Sequence, residues 1–89
     1  MISVIMVDPN IYEVRIEGEP QTRHRVHMSQ EYFRELCGGK VTHEWVLMQA
    51  FKFLLEREPS TSILAEFDLA DISTYFPEFE DEIKGVLAG

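Results

Sequence analysis

The sequence predicts an α+β fold, in which an N-terminal antiparallel β-hairpin or three-stranded meander packs on three to four helices. Polar and apolar residues alternate over residues 11–17 and again over residues 22–28, which is the period of half-buried strands. Residues 42–57 follow the helical period instead and are apolar around roughly 220° of the helix, about twice the arc of an ordinary surface helix. The segments before and after this central helix are therefore both expected to pack on it.

Three strands are predicted before residue 29. Ile2–Val7 is an apolar, mostly β-branched run that ends at the turn formed by residues 8–10. The strands over residues 11–17 and 22–28 follow, and a Gly- and Pro-containing turn separates them. The faces predicted to be buried carry Tyr12, Val14, Ile16, His24, Val26 and Met28.

Hydroxyl side chains mark the start of two helices. Ser29 is predicted to cap a short helix, which ends at Gly38 and Gly39 because glycine accepts the left-handed backbone that closes a helix. Thr42 caps the central helix, and Pro59 ends it.

Short elements are predicted after the central helix. Residues 63–67 fit either a helical turn or a strand, and we favour the turn. Asp68 and Asp71 resemble a capping pair for a short helix over residues 72–76. Pro77 is expected to open the last helix. The first turn of that helix carries Glu78, Glu80 and Asp81, and its buried face carries Phe79, Ile83, Val86 and Leu87.

Length and cysteine content bound the class of protein. A chain of 89 residues predicts one domain over residues 1–89. A single cysteine forms no internal disulfide, no secretory leader is recognisable, and no apolar run approaches the ~20 residues of a membrane span. These features predict a cytoplasmic protein that does not enter the membrane.

The net charge of −8 lies mainly in the second half of the chain. Residues 1–43 contain five Lys or Arg and six Asp or Glu, whereas residues 44–89 contain three and ten. The electrostatic field of this acidic half repels phosphate backbones and anionic lipids, and it favours solubility or a basic partner surface. Binding to nucleic acid is therefore not expected.

The sequence predicts no cofactor, no metal site and no enzyme. Lys40 follows two glycines, but the glycine spacing is not that of a phosphate loop, and Val41 stands where a hydroxyl would reach magnesium. Cys37 and the three histidines lack both strong zinc spacings, since there is no Cys-x-x-Cys and no His pair at i, i+4. No serine lies in a nucleophile elbow.

Arg23, Arg25 and His27 form a basic cluster on the outer face of the third strand. A strand with outward arginines, a Ser-capped helix, a glycine turn and a longer helix opening at Thr42 resemble the ribbon-helix-helix DNA-binding fold. In that family a ribbon from two chains enters the major groove, and the second helix binds phosphate at its N-terminus. The resemblance implies that the basic cluster reads bases and that Thr42 and His43 face phosphate.

The basic cluster has another interpretation. Glu13 and Glu17 on the neighbouring strand are placed to form cross-strand pairs with it. Residues 10–28 contain three Glu and three Arg, so the segment has no net positive charge with which to attract nucleic acid. A DNA-binding regulator or antitoxin is therefore the alternative function.

A second pattern covers more of the chain. Its parts are FLLEREP at 53–59, SIL at 62–64, FDL at 67–69, Ile72 and YFPEF at 75–79. This pattern resembles a group of small uncharacterised bacterial proteins. The resemblance implies a bacterial, cytosolic protein of one domain and names no site.

Trp45 lies near the polar stripe of the central helix, together with Gln49 and Lys52. Two interpretations of Trp45 are open: the sheet or the C-terminal helix covers it, or it is a contact residue, because tryptophan is enriched where proteins meet. Under the second interpretation these three residues are a candidate interaction surface. With the wide apolar arc and the free edge of the hairpin, they predict a small non-catalytic interaction or regulatory protein that forms a homodimer. The alternative is that residues 63–87 fold back and cover the helix within one chain.

Overall fold

The computed structural model describes residues 1–88 and confirms the predicted α+β class. A four-stranded sheet and a layer of helices enclose one hydrophobic core. The strands are β1 (Ile2–Asp8), β2 (Ile11–Ile16), β3 (Thr22–His27) and β4 (Glu66–Asp68). The helices are α1 (Gln30–Cys37), α2 (His43–Leu55), α3 (Ile72–Tyr75) and α4 (Phe79–Ala88), with 3-10 turns at Ser60–Ser62 and Leu69–Asp71.

The sheet has one strand more than the predicted meander. The strands β1, β2 and β3 are antiparallel neighbours as expected, and β4 adds a parallel strand beside β3. The prediction of a helical turn over residues 63–67 is therefore wrong. The Arg25 N–H donates to the Ala65 carbonyl at 2.7 Å, so a strand far earlier in the chain holds this segment extended. β4 alternates exposed, buried and exposed, but three residues are too few for a sequence pattern to reveal a strand.

The inner and outer faces of β2 and β3 are those predicted. Their inward side chains form one wall of the core. His24 is buried there, and its Nδ1–H donates to the Leu64 carbonyl at 2.8 Å. Its Nε2 accepts from the Thr22 hydroxyl at 3.0 Å, so both ring nitrogens are satisfied inside the core.

The predicted caps of the first two helices are confirmed. The Ser29 hydroxyl accepts from the Tyr32 N–H at 3.0 Å, and the Thr42 hydroxyl accepts from the Trp45 N–H at 3.1 Å. Gly38 adopts a φ of 65°, the left-handed conformation that closes α1.

Segments before and after the central helix pack on it, as expected, so it is covered within one chain, which was the alternative to coverage by a second copy. It packs against β1, α1 and α4. The helix ends at Leu55, earlier than the predicted residue 57, because the Arg57 N–H turns back to the Leu54 carbonyl at 2.9 Å. The buried side chains of α2 are Val46, Leu47, Ala50, Phe51, Phe53 and Leu54.

The capping pair before α3 is also confirmed. The Asp71 carboxylate accepts from the Asp68 N–H at 3.1 Å, and the Asp68 carboxylate accepts from the Ala70 N–H at 3.1 Å. These bonds fix the turn between β4 and the single turn of α3.

The last helix begins at Phe79, two residues later than predicted from Pro77. It packs on α1 and α2 through a narrow stripe of Phe79, Ile83 and Leu87. Val86 was predicted to share this face but is 52 % exposed, because it lies off the i, i+4, i+8 stripe. No helix within residues 1–88 combines the length and apolarity needed to cross a bilayer.

Candidate interaction surfaces

β1 forms an edge of the sheet, and only β2 pairs with it. The Glu17 N–H donates to the Met1 carbonyl at 3.0 Å, so Met1 directs its backbone groups toward β2. In an antiparallel ladder every second residue does so, and the residues between them direct their backbone N–H and C=O groups away from β2. These residues are Ile2, Val4 and Met6. An open row of backbone groups is a template for pairing with another strand.

The side chains of β1 are unusually apolar for an edge strand. Ile5, Met6 and Val7 are between 42 and 54 % exposed, and Ile2–Val7 contains no charged residue. The register shifts between Met6 and Asp8, so the regular part of the strand ends there. Edge strands usually carry charges or proline that block association. β1 has a bulge and the charged Asp8 at one end, but Ile2–Val7 lacks these protections.

α2 runs antiparallel to β1 on the inner side of the sheet. Ile2 at the start of β1 and Lys52 in the second half of α2 line the same shallow depression. Met6 near the end of β1 pairs with Tyr12, and the Tyr12 ring stacks on His43 at the start of α2. The two elements therefore lie side by side along their lengths.

The predicted interaction residues lie on one side of α2. Trp45 is 44 % exposed, Lys52 is exposed and Gln49 is half-buried. Their i, i+4, i+7 spacing places them on one side of the helix, and Lys52 lies beside β1. The free edge of β1 with Trp45, Gln49 and Lys52 is called the β1 edge surface below.

The basic cluster lies on the outer face of β3, but its partners are not those predicted. The His27 Nε2 lies 2.8 Å from a Glu66 carboxylate oxygen on β4. Glu13 lies opposite Arg25 in the ladder but is bound by Arg15 of its own strand, at 2.6 Å. Among residues 1–88 the two arginines of the cluster form no ion pair, so the predicted cross-strand pairing is wrong.

Thr42 and His43, which the ribbon-helix-helix resemblance places against phosphate, contact other parts of the fold. β3 lies between β2 and β4, so both of its edges are occupied and it forms no ribbon with a second chain. The Thr42 hydroxyl caps the Trp45 N–H. The His43 ring stacks on Phe33 at 3.8 Å, and its Nε2 bonds to the Gln30 side chain at 3.0 Å. Both residues thus join or cap α1 and α2.

A groove between the end of α2, the segment before β4 and α3 was not predicted. Its volume is about 250 Å³. Leu64 and Tyr75 stand exposed at its rim, and Glu58 and Asp71 add carboxylates there. All of its lining residues except Asp71 belong to the pattern FLLEREP to YFPEF. Its floor is formed by Leu54, Ile63, Phe67, Ile72 and Phe76. The whole depression is called the α2–α3 groove below.

Two buried tyrosines have raised pKa values. Burial raises the pKa of Tyr32 well above its usual value, and the hydrogen bond from its hydroxyl to Glu80, at 2.9 Å, raises it further. Burial also raises the pKa of Tyr12, with an added contribution from the charge of Glu44. The Tyr12 hydroxyl is buried without a hydrogen-bond partner among residues 1–88. Both side chains are therefore neutral at pH 7.

The metal-ligating residue types are dispersed. Among residues 1–88 no group of three or more His, Cys, Asp or Glu side chains is placed to hold a metal ion. Cys37 donates its S–H to the Phe33 carbonyl at 3.4 Å. His24, His27 and His43 each have separate protein partners.

Comparison with known proteins provides no family for this chain. No family model, no curated protein and no solved structure matches it. The two candidate functional surfaces of the chain are the β1 edge surface and the α2–α3 groove.

Proposed function

We propose that this chain is a small non-catalytic protein-interaction module that self-associates as a two-fold dimer through the β1 edge surface. The open, apolar and uncharged edge of β1 carries the proposal. Two β1 strands paired antiparallel across a two-fold axis would satisfy the free backbone groups of both copies and join two four-stranded sheets. Trp45 lies on the same side of α2 as Lys52, is exposed, and offers an aromatic anchor of the kind enriched at interfaces.

The opposite edge of the sheet is less suited to self-pairing. β4 has only three residues, and its exposed Glu66 and Asp68 side chains are both acidic. Two copies of β4 would bring like charges together across the axis. β1 is more than twice as long and has no charge between Ile2 and Val7. Self-association is therefore expected at β1.

The charge distribution supports the same choice. A net charge of −8 opposes the approach of two copies, but most of it belongs to residues 44–89. The β1 strand belongs to the nearly neutral first half of the chain, and of Trp45, Gln49 and Lys52 only the lysine is charged. The apolar arc of α2 is not open to a second copy, since α1, α4 and β1 cover it within one chain.

A DNA-binding regulator or antitoxin of the ribbon-helix-helix type is the second candidate. The observation that favours it is the pair of arginines on β3 without ion-pair partners among residues 1–88. Against it stand the occupied edges of β3 and the acidic charge. Retention on random duplex DNA at low salt, lost steeply as salt rises, would support DNA binding. Absence of retention at low salt would exclude it.

Sedimentation equilibrium over micromolar concentrations tests the dimer. Met6→Pro removes one free-edge N–H without removing a β1–β2 hydrogen bond, whereas the matched control Met6→Ala keeps that N–H. We expect a wild-type mass near twice 10.4 kDa, a shift of Met6→Pro toward 10.4 kDa, and a largely dimeric Met6→Ala. Trp45→Ala should also weaken association while remaining folded.

Two results would contradict the proposal. A wild-type mass near 10.4 kDa at every concentration would remove the dimer. Dimers that Met6→Pro and Met6→Ala leave equally stable would show that the β1 edge is not the interface. Circular dichroism of each variant establishes that loss of association is not loss of folding.

A further inference from the structure

The walls of the α2–α3 groove are held in place by the fold. The buried His24 ring binds the Leu64 carbonyl at 2.8 Å, which fixes the backbone of the rim while the Leu64 side chain stays exposed. Phe67 belongs to β4, whose pairing with β3 fixes it in the sheet. The Asp68 and Asp71 capping pair fixes the start of α3. A preformed groove binds without the cost of ordering its own walls.

The size of the groove suits an apolar side chain. Its volume of about 250 Å³ exceeds the roughly 150 Å³ of an apolar protein cavity that accepts benzene. Tyr75 stands beside it, 67 % exposed, and its hydroxyl has no hydrogen-bond partner among residues 1–88. An exposed aromatic residue next to an apolar depression is the usual composition of an interaction hot spot.

The charge around the groove is negative. Glu58 and Asp71 line it, and no Lys or Arg is among its lining residues. Arg57, the nearest arginine in sequence, is already bound to Glu78 and Glu82. The acidic rim repels a second copy of this acidic chain and repels anionic lipid. It attracts a basic segment.

We propose that the α2–α3 groove binds a short segment of a partner protein in which an apolar side chain is flanked by lysine or arginine. The apolar side chain enters the groove and packs against Tyr75 and Leu64. The flanking cations face Glu58 and Asp71. This binding goes beyond self-association and does not require it, because the β1 edge surface and the groove use different residues.

Fluorescence anisotropy with a labelled amphipathic peptide of Lys and Leu at helical spacing tests the groove. Tyr75→Ala and Leu64→Ser remove exposed rim groups and should each weaken binding roughly tenfold, as hot-spot truncations do. The matched control is Val86→Ser on α4, which removes an equally exposed apolar side chain that does not line the groove. Its Kd should equal that of the wild type.

Charge is tested separately. Glu58→Gln should weaken binding and reduce its salt dependence, whereas Glu19→Gln, an exposed acid in the β2–β3 turn, should not. A peptide with Glu in place of Lys, and one with Ser in place of Leu, should bind much more weakly. Absence of binding by the Lys and Leu peptide would overturn the proposal. Equal weakening by Tyr75→Ala and Val86→Ser, or no weakening by either, would also overturn it.

The dimer and the groove fail in distinguishable ways. The Met6→Pro variant should bind the peptide with the wild-type Kd even if it is monomeric. Backbone NMR shifts on titration should centre on residues 58–76, and shifts centred on β1 would overturn the assignment to the groove.

Discussion

Arg57 joins the end of α2 to the start of α4, and its replacement tests how the two helices are held together. Its guanidinium carbon lies 3.6 Å from the centre of the Phe53 ring, and the group donates to the Phe53 carbonyl at 3.1 Å. It also donates to Glu82 at 2.8 Å and to Glu78 at 3.2 Å. We predict that Arg57→Met destabilises the fold, because methionine keeps an unbranched side chain over Phe53 but removes the charge and all donors.

The magnitude follows from three contacts. The cation–π contact contributes about 0.5–1 kcal/mol at a partly exposed site. The hydrogen bond to the Phe53 carbonyl contributes about 0.5–1.5 kcal/mol. The pair with the half-exposed Glu82 contributes about 0.2–1 kcal/mol because solvent screens it. We expect a loss near 2 kcal/mol, which lowers Tm by roughly 8–16 °C in a domain of this size.

Urea and thermal unfolding at one fixed protein concentration measure this loss, since concentration shifts the stability of a dimer. Arg34→Met on α1 is the control, because Arg34 is exposed and its side chain has no hydrogen-bond partner among residues 1–88. That change should cost no more than about 0.5 kcal/mol. High salt should reduce the Arg57 effect only in part. Equal unfolding midpoints for the two variants would refute the reasoning.

Three further predictions concern titration, an unpaired hydroxyl and the start of α4. Because the pKa of Tyr32 is raised, its contribution to the free energy of unfolding is complete below about pH 10 and is lost as pH rises further. Above about pH 10 the Tm of the wild type should therefore fall more steeply than that of Tyr32→Phe, and equal slopes would contradict this. Tyr12→Phe should leave Tm unchanged or raise it, because it removes a buried hydroxyl without a partner, and a lower Tm would contradict this. The pKa of Glu78 is below its usual value, mainly because its carboxylate accepts from the Glu78 backbone N–H and also because it binds Arg57. Glu78→Lys should therefore lower Tm at low salt and lower it less at high salt. An unchanged Tm at low salt would count against that role.

The parts of the fold that were predicted correctly depend on local signals. The hydroxyls of Ser29 and Thr42 each bind an N–H three residues later, and Gly38 closes α1 next to its last residue. The alternation in β2 and β3 is likewise set within each strand. Each of these features is decided within a few residues of sequence.

β4 and the groove were missed because they depend on contacts between distant segments. β4 forms through the Arg25 bond to Ala65, and the His24 bond to Leu64 fixes the chain just before it. The groove appears only when this pairing brings the segment before β4 between α2 and α3. Leu64 and Tyr75 are apolar in the sequence, but no local pattern distinguishes an exposed rim from a buried core.

The order of the strands places the two proposed surfaces at opposite ends of the sheet. β1 forms one edge, and β4, which contributes Phe67 to the groove, forms the other. A dimer joined at β1 would therefore carry its two grooves far from the two-fold axis and free of the interface. Two sites on one assembly bind a partner with repeated basic segments more tightly than one site does, because the second contact is intramolecular. Self-association would then strengthen partner binding without any change in the groove, and Met6→Pro should weaken binding to a two-segment peptide while leaving the single-segment Kd unchanged.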